Sequence, residues 1–121
     1  MATKYGYTSA AWNMAKAEMR QILVATAKAE SLISYGDLAL QIQAIHLEPD
    51  AYAMAALLGE ISTEENAAGR GMLSVLVVHK DDDMPGQGFF ILADELGRDT
   101  SDPLKLWMTE LKNVYAYWRG N

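Results

Sequence analysis

The chain of 121 residues contains no cysteine. That excludes a disulfide framework, a thiolate nucleophile and a Cys-ligated zinc or iron–sulfur centre. Histidine is scarce too: His46 and His79 are the whole supply. A His-rich metal site is not expected, nor any other cofactor. Basic residues are the minority, 10 Lys and Arg against 16 Asp and Glu, for a formal charge of −6. A broadly basic nucleic-acid coat is thereby excluded. No apolar run is long enough to span a bilayer. The first twenty residues have no signal-peptide pattern, being broken by Asn13, Lys16, Glu18 and Arg20. The expectation is a cytoplasmic protein with no membrane partner, folded as one domain over residues 1–121.

Half of the residues are hydrophobic, enough for a sizeable core. The charge is uneven. Residues 1–46 hold four basic and three acidic side chains, net +1, whereas residues 47–121 hold six and thirteen, net −7. An anion-binding surface would draw on the first third.

Thr8 or Ser9 can cap a helix running to about Glu30. Trp12, Met19, Ile22, Leu23 and Thr26 recur there at helical spacing, with Ala15 on the same side. Lys16, Arg20 and Lys28 fall opposite, as a solvated polar face or an anion-binding one. After the short apolar pair Leu32-Ile33, Ser34 to Asp37 reads as a capping box. Leu38, Ala39 and Ile42 then form the stripe of a second helix. Asp50 can cap a third from Ala51 to about Ile61, and Ser62 to Glu65 reads as a second capping box with a fresh turn to Ala68. Gly69 and Gly71, flanking Arg70, stop it. Met72 to His79 reads as a buried strand and Phe89 to Leu92 as its hairpin partner across a loop. Asp102-Pro103 opens a last helix, with Leu104, Trp107, Met108, Leu111, Val114/Tyr115 and Trp118 as its apolar stripe.

This order predicts an α+β, winged-helix-like fold: a helix-turn-helix, a β-hairpin wing and an additional C-terminal helix. An unrelated small α+β domain has the same element order.

One stretch carries more than pattern. Leu32-Ile33-Ser34-Tyr35-Gly36-Asp37-Leu38-Ala39 resembles the V-I-S-Y-x-x-L-A segment opening the helix-turn-helix in the C-terminal domain of O6-alkylguanine-DNA alkyltransferases. Residues 73–89, LSVLVVHKDDDMPGQGF, are similar to the family's passage in which I-P-C-H-R-V precedes a turn and Gly-Gly-Tyr. His79 then takes the place of the motif's His, and Gly88 and Phe89 those of the closing glycine and aromatic. The resemblance spans roughly residues 31–90 and implies a winged-helix fold with DNA as partner. It also implies that Tyr35 lies beside the phosphate of an extruded nucleotide. The chemistry does not carry over. The acceptor Cys falls at Val78, which cannot accept an alkyl group, and the intercalating Arg falls near Ala55 or Ala56. Alkyl transfer is excluded.

Charge opposes the commonest use of such a fold, because DNA affinity comes largely from Lys and Arg on phosphates. The expected wing carries Asp81, Asp82 and Asp83, and the third helix has no basic residue. Nucleic-acid contact would therefore use Tyr35 with Lys16, Arg20, Lys28, Arg70 and Lys80. The aspartates read as a solvated loop tip rather than a metal site. Trp107, Tyr117 and Trp118 supply core packing or an interface with a partner protein or a second copy. The resulting expectation is a non-enzymatic binding module with weak nucleic-acid contact. Its alternatives are a protein–protein or homodimerisation module and a small enzyme using His79.

Overall fold

The computed structural model describes residues 3–121. Thr3–Lys4 (β1) and Tyr7–Thr8 (β2) pair antiparallel around Tyr5 and Gly6, both with positive φ, the geometry of a two-residue type I′ hairpin. Sequence reasoning missed this hairpin, since Tyr-Gly is a weak cue beside Asn-Gly. Tyr5 is held there by stacking on Trp12, with ring centroids 5.5 Å apart.

Helix α1 spans Ser9–Lys28, capped by the Thr8 hydroxyl, which accepts from Ala11 N. Ile33–Ser34 (β3) leads into α2, Tyr35–Gln41, where Ser34 Oγ accepts from Asp37 N as the capping box requires. The third helix, α3, runs unbroken over Tyr52–Ala67. Asp50 does not cap it, because Ala51 is the N-cap and makes no side-chain bond. Nor does Ser62 start a new turn. Ser62 and Glu65 are buried mid-helix, and the Ser62 hydroxyl donates to Ser74 Oγ and accepts from Ser74 N. Both residues face partners distant in sequence, so a local capping pattern gave the wrong boundary.

The expected hairpin wing does not form from residues 72–79 and 89–92. Leu73–Leu76 is a 3-10 turn, and only Val77–Val78 (β4) is extended, pairing in parallel with β3. Phe89 to Leu92 lie within a helix, α4, Gln87–Glu95. Four apolar residues fit either period; the deciding signal lies downstream, where Gly97 takes φ +90°. There Gly97 N donates to Asp94 O and Arg98 N to Ala93 O, a Schellman stop. The last helix, α5, covers Pro103–Arg119 with Asp102 as cap. The expected stripe on α5 is turned: Leu106, Glu110, Val114 and Trp118 are buried, whereas Leu104 and Met108 are exposed.

The architecture is therefore α+β, helices with two minimal sheets. The segment 72–78 is wholly buried and touches α1, α3 and α5 through its 3-10 turn. A buried segment that is neither helix nor full strand leaves backbone groups to be paired by side chains. Glu110 accepts from Met72 N at 2.8 Å, Ser62 from Ser74 N at 3.0 Å, and Trp107 Nε1 donates to Val75 O at 3.0 Å. Among the described residues no helix is long and apolar enough to cross a membrane.

Candidate functional site

The parallel β3–β4 pair places Ser34 opposite Val78. The residues that follow, Tyr35 and His79, therefore leave the ladder side by side. Their rings meet at 4.7 Å and 34°. The chain then turns tightly: Asp83 N donates to His79 O and His79 N to Met84 O, both at 2.9 Å. Asp82 Oδ1 accepts from Met84 N, and Asp83 takes φ +55°. Two of the three aspartates thus shape the loop. It returns Gly86 onto the aromatic pair, where Gly86 N donates to Tyr35 Oη at 3.0 Å. A Cβ at Gly86 would sit 3.1 Å from His79 Nε2 and 3.2 Å from Tyr35 Oη, so only glycine passes without displacing them.

One face of α3, Ala51, Met54, Ala55 and Leu58, confronts one face of α4, Gly88, Ile91, Leu92 and Glu95, across a cleft of about 510 Å³. Both faces follow i, i+3, i+4, i+7 spacing. Tyr35, His79 and Gly86 also line the cleft. Burial pushes the Tyr35 phenol pKa above its ordinary value, against the smaller opposite effect of the Gly86 N–H bond. Tyr35 is thus a neutral donor at neutral pH, with its oxygen already engaged by Gly86. His79 is exposed and its ring makes no hydrogen bond among the described residues.

The cations expected to meet nucleic acid are elsewhere; none lines the cleft. Lys16 binds Glu60 at 3.2 Å and Glu64 at 2.8 Å, and the Glu64 hydrogen bond holds its pKa above the ordinary value. Arg20 and Arg70 converge on Glu65, which is 1% exposed. The face of α1 carrying Lys16 and Arg20 keeps part of its surface in solvent but is not free: it is tied to α3 glutamates. Lys28 lies over the Trp118 ring at 5.9 Å. Lys80 reaches Asp37 at 3.9 Å and stays largely exposed.

The aromatic residues of α5 are mostly internal. Trp118 is buried, Trp107 is half-buried with its indole N–H on Val75 O, and Tyr117 packs edge-on against Trp118 at 5.0 Å. The large apolar residues that α5 does expose are Leu104 and Met108.

Sequence reasoning found Tyr35 and His79 but missed the cleft walls and the rim acids Asp50 and Glu95. A usable signal was present: Ala51, Ala55 and Gly59 recur every four residues, a small-residue stripe on α3 that leaves room beside it. Comparison with known proteins returned no matching family model, curated protein or solved structure, so what the cleft holds is read from its own geometry.

Proposed function

We propose that this chain is a non-enzymatic binding module whose ligand seats in the α3–α4 cleft. The observation that carries the reading is the cleft itself: apolar helix faces ending on the Tyr35–His79–Gly86 corner. Its volume suits a small molecule, and a few polar groups at the end of an apolar trough are the usual arrangement for orienting one.

Indole serves as a neutral probe. Titration followed by backbone amide NMR should move the resonances of Met54, Leu58 and Leu92, with affinity in the millimolar range expected of a fragment. Ala55→Trp places a large ring in the cleft from an exposed helical position and should abolish those shifts while the rest of the spectrum persists. Shifts that survive Ala55→Trp, or that fall elsewhere, overturn the reading.

The winged-helix form of this proposal rests on the resemblance at residues 32–39, with α2 and α3 as the helix pair and no hairpin wing. Nucleic acid would be met through Lys28 and Lys80, because Lys16, Arg20 and Arg70 are held by glutamates. So few phosphate contacts give weak binding that vanishes with modest salt. A protein partner on α5 would use Leu104 and Met108 rather than Trp107, Tyr117 and Trp118.

A further inference from the structure

The electrostatics of the cleft oppose an anionic ligand. Among the described residues no lysine or arginine lines it, while two carboxylates do, Asp50 and Glu95. Both are exposed, and neither has a hydrogen-bond or ion-pair partner among the described residues. Seven of the ten cations, Lys4, Lys16, Lys80, Arg20, Arg70, Arg98 and Arg119, already face an acid.

Helix dipoles do not reverse the sign. Asp50 stands immediately before the N-cap of α3, where its full charge outweighs a helix end worth about half a charge. Glu95 is the last residue of α4, so its charge adds to that helix's negative end. The positive end of α4 at Gly86 opposes them, again by about half a charge, and the His79 imidazole also lines the cleft. Aromatic faces at Tyr35 and Phe89 favour a cation near them.

We propose that the cleft selects a small organic amine, a flat apolar body bearing one ammonium group that the rim carboxylates Asp50 and Glu95 attract. The proposal rests on the cleft being a ligand site and adds the charge of what it takes. The cleft's size fits a two-ring molecule better than a chain segment, so a free amine rather than a basic peptide is the occupant.

Three isosteric probes test this: tryptamine, tryptophol and indole-3-propionate, which carry an ammonium, a hydroxyl and a carboxylate on one indole body. Amide NMR titrations at low ionic strength should rank them in that order, with tryptamine about five- to tenfold tighter than the carboxylate. In 0.5 M NaCl the spread should shrink to about twofold or less. Asp50→Asn combined with Glu95→Gln should remove the ranking, the three probes then differing by about twofold or less. Equal binding of all three, or a preference for the carboxylate, overturns the charge selection and leaves the cleft as a ligand site. A ranking unchanged by high salt overturns it also, and that arm needs only the natural protein. A lysine-containing peptide that displaces tryptamine at lower concentration overturns the choice of occupant. No shift at cleft residues with any probe removes the cleft reading itself.

Discussion

Three glycines show how differently one residue type is used within this fold. Gly71 has φ +86°, and a Cβ there would lie 2.9 Å from Val114 Cγ2 and 3.1 Å from Glu110 Oε2. Backbone strain of about 1–2 kcal/mol and overpacking of about 1–3 kcal/mol then act together. Gly71→Ala should destabilise by about 2–5 kcal/mol in urea unfolding. Gly86 has ordinary backbone angles and tight neighbours that must yield by a few tenths of an ångström, so Gly86→Ala should cost about 1 kcal/mol or less and shift the Tyr35 ring resonances. Gly59 lies inside α3 with nothing within 4 Å of its missing Cβ. Gly59→Ala should stabilise by about 0.5–1 kcal/mol, because the unfolded chain loses freedom and helix propensity rises. A single set of unfolding curves checks all three signs, and a stabilised Gly71→Ala would contradict the close approach of α5.

Helix ends in this protein are built as units. The C-termini of α1, α3 and α4 all close with paired back-bonds onto a residue of positive φ, namely Glu30, Gly69 and Gly97. After each glycine comes an arginine, and each reaches a buried carboxylate. Arg70 forks onto Glu65, and Arg98 onto Glu110 at 3.1 Å through both Nε and a terminal nitrogen. Burial by itself would raise the Glu65 pKa, but the bonds from Arg70 and the charge of Arg20 outweigh it and hold the carboxyl below its ordinary 4.5. The same balance lowers Glu60, where burial is opposed by Lys4, Trp12 and Lys16. A carboxylate with a depressed folded pKa stabilises fully above its unfolded pKa and loses that contribution as pH falls through the folded value. Stability should therefore be flat from neutrality to about pH 5 and fall below about pH 4.5. Glu65→Gln should lower stability at pH 7 by about 3 kcal/mol, since two guanidinium groups lose their partner, and should shallow the acid limb. An acid limb identical to that of the natural protein would assign it to other groups. None of this was legible beforehand. The helix stop at Gly69 and the helix start at Asp102-Pro103 were, because caps are local; that Glu65 is internal depends on Arg20, forty-five residues away.

Across the whole molecule, local signals located most helices and long-range ones were invisible. The stripe of α1 was read correctly through Trp12, Ala15, Met19 and Leu23, all buried. The α5 stripe was rotated because Glu110, a charged residue, occupies the inner face that apolar counting gave to Leu104 and Met108. The first part of the chain was expected to provide a basic face, but its cations meet glutamates on α3, so a net charge summed over a segment did not describe a surface. The corner Tyr35–His79 was legible as two residues and not as one place, because a two-residue parallel ladder leaves almost no pattern in sequence. That ladder has a kinetic consequence. Ile33 and Val77 are joined only after the forty-three residues between them close into a loop, a slow event relative to forming helices. A molecule able to hold a ligand at the Tyr35–His79 corner is therefore one in which both halves of the chain have already found each other.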